Sequence, residues 1–329
     1  MRAPIVVNGR FLTGTSTGLH RVARSLLDAA VEQGLEVEIL KPPEGAGFAR
    51  SHLWEQVELP ARAGRRMVLS LANTAPIAAR RGAVMIHDLA PLIGPEWFHP
   101  RMRVYARMSL LAARRAEVVF TVSNQVKGEL AERGVDESKI TVIRPAVDPS
   151  FKPASPEEVA ALGYDRPYLL FVGWADPRKD AATACLAHLE AVKEFDHDLV
   201  LVGHPHRNFA PVVLPEAPTI KHAGYVDDAK LRALLTGARA LVYPSLYEGF
   251  GLPPLEAWAC GTPAIVGDTP ALRESTEGRA VYVRPADLDE LADAIRTALD
   301  CAPTAPAEHP WSVPEAAARL GTRLVPDRW

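Results

Sequence analysis

Residues 241–256 read Leu-Val-Tyr-Pro-Ser-Leu-Tyr-Glu-Gly-Phe-Gly-Leu-Pro-Pro-Leu-Glu, and this pattern predicts a buried strand, a glycine-bearing loop and a helix. Pro253 and Pro254 suit the first turn of a helix, where a missing N–H costs little. Free amides and the positive end of the helix dipole make such a turn a ready anion site. Glu248 in the loop and Glu256 in the first turn of the helix bracket it, and we expect them to bind hydroxyl-rich groups, a sugar and a ribose, on either side of a phosphate.

The same rhythm of apolar run, loop and amphipathic segment recurs along the whole chain of 329 residues. Such alternation predicts an α/β fold with parallel sheets covered by helices. The segment 144–153 contains three prolines and no periodicity, which is typical of a linker. We therefore expect two doubly wound, Rossmann-like domains, residues 1–150 and 151–310, with a central cleft between their carboxyl edges, followed by a last helix within 311–329.

Composition narrows the class of protein. The net charge of −3 argues against a nucleic-acid binder, although residues 1–150 hold 20 Lys and Arg against 15 Asp and Glu (+5), and residues 151–329 hold 17 against 25 (−8). The three cysteines are widely spaced and fit neither a disulfide framework nor a metal site, so we expect a cytoplasmic protein. No run of apolar residues is long enough to span a bilayer or to serve as a signal peptide.

Two loops of the first domain contain candidate site residues. Gly14 and Gly18 stand between a strand and a helix, which favours either close approach of the backbone to a phosphate or acceptor, or an ordinary loop. The spacing is not that of a dinucleotide fingerprint. His87 and Asp88 follow another strand, where a histidine can bind a sugar hydroxyl and an aspartate can orient an attacking one. The alternative is a His-Asp pair that only braces the loop.

Residues 101–116 predict a basic amphipathic helix, with five arginines and no acid before Glu117. Such a helix can lie on an anionic bilayer, which would make the protein peripheral on the inner face of the cytoplasmic membrane. The alternative is a packed helix with a solvated basic face.

In the second domain, Arg178 and Lys179 follow a strand within Gly173-Trp-Ala-Asp-Pro-Arg-Lys-Asp180. An arginine fork and a lysine ammonium both suit phosphate oxygens. Together with the Glu248–Glu256 loop they fit a diphosphate with a sugar beyond it, and they would neutralise the charge that develops on a departing diphosphate. Two exposed basic residues in a turn are the alternative.

At these residues the chain resembles the retaining family 4 (group 1) glycosyltransferases of the GT-B fold, particularly bacterial polysaccharide mannosyltransferase-like members. The resemblance rests on the Glu-x7-Glu patch 248–256, on 173–179, on Ile86-His-Asp-Leu-Ala-Pro-Leu92, and on the opening loop from Asn8 to Arg21. It implies transfer of a sugar from a nucleotide sugar, with GDP-mannose favoured, to a saccharide or lipid-linked acceptor. It also implies that no metal or other cofactor is needed, and that the last helix crosses back to the first domain.

The resemblance also implies roles for individual residues. Glu248 would contact the transferred sugar, and Glu256 the ribose. Arg178 and Lys179 would hold the diphosphate, and His87 would touch the sugar. The remaining donor contacts would come from loop amides and from residues that line the nucleobase: Gly249, Phe250, Gly251, Leu252, Tyr225 and Val226.

The chain departs from the family pattern in the second domain. Trp174 stands where many relatives have an arginine, and Asp180 stands where an asparagine is frequent. These departures leave the preferred nucleotide-sugar donor undetermined. Asp180 is expected to cap the next helix. Asp287 and Asp289 have the spacing of a metal motif but begin an amphipathic helix, and His204-Pro-His206 lacks further ligands. The alternative functional hypotheses are a sugar-nucleotide hydrolase or epimerase, a non-catalytic sugar-nucleotide-binding subunit and, least favoured, a nicotinamide dehydrogenase.

Overall fold

The computed structural model describes residues 3–13, 18–193, 195–300 and 310–326, which form two compact units. The first unit comprises residues 1–93, 100–146 and 311–329, and the second comprises 94–99 and 147–310. Residues 94–99, which lie inside the expected first domain, therefore group with the second. The last part of the chain groups with the first unit.

The first unit contains a six-stranded, all-parallel sheet in the order β2-β1-β3-β4-β5-β6. Its strands are short runs dominated by apolar residues, and the central ones are buried on both faces, as a helix-covered parallel sheet requires. The strands are β1 (Ile5–Asn8), β2 (Val37–Leu40), β3 (Met67–Ser70), β4 (Arg81–Ile86), β5 (Val118–Thr121) and β6 (Ile140–Val142). The helices between them are α1 (Gly18–Glu32), α2 (Phe48–Ala63), α3 (Ala90–Ile93), α4 (Pro100–Arg115) and α5 (Asn124–Glu132).

Helix α2 has no counterpart among the elements predicted from the sequence. It is 16 residues long, contains Pro60, and packs Trp54 and Leu59 against β1 and β3. Its buried face also carries the polar residues Ser51, His52 and Glu55. This mixture weakens the apolar periodicity by which a helix is recognised in a sequence.

The second unit repeats the design with the sheet order β12-β11-β10-β7-β8-β9, again all parallel. Its strands are β7 (Tyr168–Val172), β8 (Asp198–Val202), β9 (Ile220–Gly224), β10 (Leu241–Tyr243), β11 (Ala264–Gly267) and β12 (Val281–Val283). Its helices are α6 (Pro156–Ala160), α7 (Ala181–Ala191), α8 (Asp228–Gly237), α9 (Leu252–Ala259), α10 (Pro270–Thr276) and α11 (Leu288–Asp300). The helices α7 and α11 pack together over the apolar core of this unit.

Each sheet has one point at which the order of strands reverses. In the first unit it lies between β1 and β3, and in the second between β7 and β10. The loops that follow two such strands diverge and leave a crevice at the carboxyl edge, where ligands bind in open α/β sheets.

The last helix, α12 (Val313–Leu324), packs against α1 of the first unit. Gln33 Nε2 donates a hydrogen bond to the Pro314 carbonyl (2.9 Å), and Arg323 donates to the Ser138 carbonyl (2.8 Å). The buried side of α12 consists of Ala316, Ala317, Leu320 and Gly321. In the described part of the chain, no helix is both long enough and apolar enough to cross a membrane.

Candidate active site

The reversal point of the second sheet brings two loops of the predicted site together. The loop after β7 ends in a short 3-10 turn, Pro177–Lys179, and the loop after β10 leads into α9. The Leu246 N–H donates to the Arg178 carbonyl (2.8 Å) and so ties the two loops to each other. These loops are far apart in sequence and adjacent in space because β7 and β10 pair directly.

Lys179 and Glu248 form a close ion pair at this point. Lys179 Nζ donates to Glu248 Oε1 (2.5 Å) and also to the Tyr243 hydroxyl. Both charged side chains are largely buried, with exposed fractions of 12% and 9%. Burial, with a further contribution from Glu248, raises the pKa of the Tyr243 phenol well above its ordinary value. The three groups form an ammonium–carboxylate–phenol cluster, which we call the lysine cluster.

Arg178 is held by a carboxylate of its own loop. Asp176 accepts from Arg178 Nε (3.0 Å) and from its second guanidinium nitrogen, Nη2 (2.6 Å), and the Asp176 side chain is buried. Burial tends to raise the pKa of Asp176, but the charge and hydrogen bonds of Arg178 outweigh it, so this pKa lies below its ordinary value. Both predicted phosphate-binding cations therefore have carboxylate partners.

The glycine loop itself is held in a narrow space. Gly251 has a φ of +94° and is the N-cap of α9, and a Cβ there would come within 2.4 Å of Leu272. Gly267, at the end of β11, lets the backbone of Ser245 approach, since a Cβ would lie 2.3 Å from the Ser245 carbonyl oxygen. Gly249 and Phe250 are buried in the loop, and Leu252 is the first residue of α9.

The position of Glu256 differs from the prediction. Because α9 begins at Leu252, before the two prolines, Glu256 is its fifth residue and not part of its first turn. Its side chain is buried, like those of its neighbours Leu255 and Ala257. Tyr225 and Val226 follow β9, so β7 and β8 separate them from the loop after β10. Tyr225 is 66% exposed, and its ring forms a T-shaped pair with that of His204 at a centroid distance of 5.8 Å.

The other predicted residues lie in the first unit. His87 is buried at the end of β4, and its Nε2 donates to the Leu71 carbonyl (2.8 Å), which leaves Nδ1 as the acceptor of a neutral ring. Burial lowers the pKa of His87. Asp88 accepts from the Ala90 N–H (3.0 Å) and so braces the start of α3. Gly18 is the first residue of α1, and Gly14 lies outside the described residues.

The two motifs that resemble metal sites, Asp287-x-Asp289 and His204-Pro-His206, form hydrogen bonds that support local structure. Asp287 accepts from the Glu290 N–H (2.9 Å) at the start of α11 and pairs with Arg284, as a capping acid does. His206 accepts from the Asn208 N–H (3.3 Å). Over the ranges that the structure describes, no three His, Cys, Asp or Glu side chains cluster as a metal site requires. Asp180 caps α7 as expected, with the Thr183 N–H as its donor.

Sequence reasoning missed Tyr243 and Asp176. Signals for both were present: Asp176 stands two residues before Arg178, and Tyr243 is the last residue of the strand before the glycine loop. A polar side chain at the carboxyl end of a strand next to a reversal point is a candidate by position alone.

Comparison with known proteins agrees with this geometry. The family model described as "Glycosyl transferases group 1" matches residues 166–301, and that described as "Glycosyltransferase Family 4" matches residues 79–151. The first match contains the lysine cluster and the glycine loop.

Two curated relatives are O-antigen chain mannosyltransferases. RfbU of Salmonella typhimurium is 32% identical over 241 residues, which cover 70% of this chain and 64% of that protein. The O-antigen chain mannosyltransferase B of Escherichia coli is 31% identical over 241 residues, 68% of this chain and 62% of that protein. The alignments thus span a little less than two thirds of each relative.

A solved structure shares the fold over nearly the whole chain. The crystal structure of HepE from Anabaena in complex with UDP and glucose superposes with a TM-score of 0.67 at 17% identity, over 98% of this chain and 96% of that one. Two parallel six-stranded sheets with flanking helices are the GT-B architecture that the motifs implied. The chain therefore contains a group 1 glycosyltransferase domain and a family 4 glycosyltransferase domain, which carry the motifs quoted from the sequence.

Proposed function

We propose that this protein is a retaining glycosyltransferase that moves mannose, or a related sugar, from a GDP-sugar to a saccharide or lipid-linked acceptor in the cytoplasmic stage of polysaccharide biosynthesis. The observation that carries the proposal is the lysine cluster at the reversal point of the second sheet. The names of the two curated relatives support mannose and a polysaccharide product.

The proposed chemistry begins with the diphosphate of the donor. Lys179 and Arg178 bind its oxygens, and the amides of Gly249 to Leu252 add donors from the glycine loop. Because Lys179 is paired with Glu248, a diphosphate competes with that carboxylate for the ammonium. A shift of Lys179 toward phosphate leaves Glu248 available to accept a hydrogen bond from a sugar hydroxyl.

In the transfer step, the bond between the anomeric carbon and the phosphate oxygen breaks, and the nucleoside diphosphate leaves with the bonding electrons. The acceptor oxygen bonds to the anomeric carbon on the same face, and its proton passes to a donor phosphate oxygen. Lys179 and Arg178 neutralise the charge that accumulates on the diphosphate, which is where a transferase of this kind gains most of its rate. Glu256 is proposed to bind the ribose, and His87 to accept from a sugar hydroxyl through Nδ1.

The decisive experiment is transfer by Glu248→Gln, measured with GDP-mannose and with UDP-glucose on a panel of saccharide and lipid-linked acceptors. We expect transfer to fall about a hundredfold or more in a variant that remains folded, and we expect EDTA to have no effect on transfer. The matched control is Glu190→Gln, which changes an exposed carboxylate of the same unit and should keep full activity.

Other outcomes discriminate between the functions. Full activity of Glu248→Gln would rule out the assigned site. Donor consumption without an acceptor would indicate a hydrolase or epimerase, and tight donor binding without turnover would indicate a non-catalytic subunit. The anomeric configuration of the product, read by NMR, tests retention.

We also propose that the first unit contacts an anionic membrane surface. Its helix α4 exposes Val104 and Leu111 beside Arg107 and Arg115, and its helix α2 exposes Leu53 and Val57 (65% and 58%). Apolar side chains bordered by arginines suit the headgroup region of a bilayer that contains anionic lipid.

This proposal is tested by co-sedimentation with vesicles of phosphatidylcholine, with and without phosphatidylglycerol. We expect binding only to the anionic vesicles, and its loss in the double variant Arg107→Glu/Arg115→Glu. Equal binding of the variant and the native chain would contradict it.

A further inference from the structure

A short segment of the first half of the chain, Gly94–His99, belongs to the second unit, although the residues on both sides of it belong to the first. It contains a 3-10 turn, Pro95–Trp97. Gly94 lets the Trp97 ring fold over the backbone, since a Cβ there would lie 2.2 Å from that ring. We call this segment the strap.

The strap is attached to the loop after β8 by backbone bonds. Phe98 and Phe209 form an antiparallel bridge, in which the His99 N–H donates to the Asn208 carbonyl (2.9 Å) and the Ala210 N–H donates to the Trp97 carbonyl (2.9 Å). The rings of Phe98 and Phe209 lie 5.5 Å apart, and Phe98 is buried. The position of the Phe98 ring is therefore determined by both its backbone and its packing.

The Phe98 ring lies against Arg178. The guanidinium carbon is 5.4 Å from the ring centroid, within the range of a cation–π interaction. Asp176 occupies the Nε–Nη2 edge of the same guanidinium, as described above. Asp176 thus takes the Nε–Nη2 edge of Arg178, and the Phe98 ring lies against the same guanidinium.

We propose that Phe98 is a positioning residue: together with Asp176, it holds the Arg178 guanidinium in the orientation in which it binds the diphosphate of the donor. The proposal rests on the proposed function, which assigns Arg178 to the diphosphate. An arginine side chain has many rotamers, and a group that is already oriented loses less entropy when it binds. Phe98 acts through Arg178 and does not touch the donor.

The test is isothermal titration calorimetry, which measures the affinity of the full chain for GDP and UDP. Guanosine and uridine serve as probes that lack phosphate. We expect Phe98→Leu, which keeps an apolar side chain but removes the ring, to weaken diphosphate binding about tenfold and to leave nucleoside binding unchanged. Phe98→Tyr retains the ring face and should restore the affinity.

A double-mutant cycle separates positioning from general loosening of the structure. In an Arg178→Ala background, Phe98→Leu should have no further effect on diphosphate affinity, because the group through which it acts is gone. Equal weakening in both backgrounds, or no weakening in the native background, would overturn the proposal. Unchanged diphosphate binding by Arg178→Ala alone would instead overturn the assignment of Arg178, on which both proposals depend.

Discussion

Both sheets bury a glutamate where their strand order reverses, and the two glutamates have different surroundings. Glu55 of α2, at the reversal between β1 and β3, is completely buried and accepts from Asn8 Nδ2 (2.6 Å) and Thr74 Oγ1 (2.8 Å). It also lies near Arg10 (3.7 Å) and His52 (3.4 Å). Glu248, in the loop after β10 at the reversal between β7 and β10, pairs with Lys179 of the loop after β7.

The difference distinguishes a structural carboxylate from the one that we propose to be functional. Burial alone raises the pKa of Glu55, but its interaction with His52, the charge of Arg10 and the hydrogen bonds from Asn8 and Thr74 outweigh burial and lower this pKa. Its partners Asn8, Arg10 and Thr74 lie at the end of β1, in the turn after β1 and in the loop after β3, and Glu55 ties them to α2. Glu248 is paired with the ammonium of Lys179, and in the proposed function phosphate competes for that ammonium, so that Glu248 can bind a ligand instead. The predictions below test this comparison.

The largest effect is expected for Lys179→Met, which removes the cation of the lysine cluster. Transfer should fall about a thousandfold, equivalent to about 4 kcal/mol of transition-state stabilisation, because the departing diphosphate loses a charged partner. Steady-state kinetics measure this loss. Lys193→Met, at an exposed lysine of the same unit, is the control and should transfer normally. A Lys179→Met variant with full activity would remove the functional half of the comparison.

The next effect is expected for Glu55→Gln, which should lower the free energy of unfolding by about 3 kcal/mol, since it leaves Arg10 and His52 without a buried anion. Denaturant unfolding measures the change, and nucleotide binding at the second unit should persist. Glu58→Gln, on the exposed face of the same helix, should change stability by less than about 0.5 kcal/mol. If Glu55→Gln lost only activity, Glu55 would be a functional group too.

A third prediction concerns two buried histidines of the second unit. His188 Nδ1 lies 3.2 Å from His197 Nε2, and burial, followed by the neighbouring charges of His197 and Arg166, lowers the pKa of His188 to about 4. A histidine whose folded pKa is depressed contributes stability above its unfolded pKa of about 6.5, and this stability is lost as the pH falls toward 4.

We therefore expect the free energy of unfolding to decrease by up to about 3 kcal/mol between pH 6.5 and pH 4, as measured by urea unfolding at each pH. His188→Gln, which cannot be protonated there, should flatten that dependence. An identical pH profile for the variant would show that other groups cause the acid sensitivity.

The smallest effect is expected for Thr74→Val, which removes a single hydrogen bond to Glu55 and keeps the shape of the side chain. The free energy of unfolding should fall by about 1 kcal/mol, and the rate of transfer should not change. Thermal unfolding and a transfer assay on one preparation measure both quantities. A drop in transfer without a loss of stability would place Thr74, and with it Glu55, in the functional category.

Much of the fold could be predicted from local patterns, because each parallel strand is a short apolar run that ends at a turn residue. Helix α2 could not, since the face that it buries carries His52 and Glu55 as well as Trp54. A buried polar network satisfies its groups through partners far away in sequence, and no local spacing reveals which helix face will have them.

The candidate site shows the same limit. Glu248 and Lys179 could each be identified from the turn that carries it, yet their pairing follows from the adjacency of β7 and β10, which a single sequence does not specify. The role of Phe98 could not be predicted for a similar reason. Phe98 stands in a segment whose sequence neighbours belong to the first unit, and it contacts Arg178, which is far from it in the sequence.

The strap has a consequence for how the protein is made. Residues 94–99 leave the ribosome early, but the Phe209 backbone with which they pair is synthesised far later. The first unit likewise waits for α12, which is near the end of the chain. Neither unit can therefore finish folding before residues that follow the other unit's segments have been synthesised. Cleavage of the chain between residues 146 and 147 would separate the second unit from its own strap.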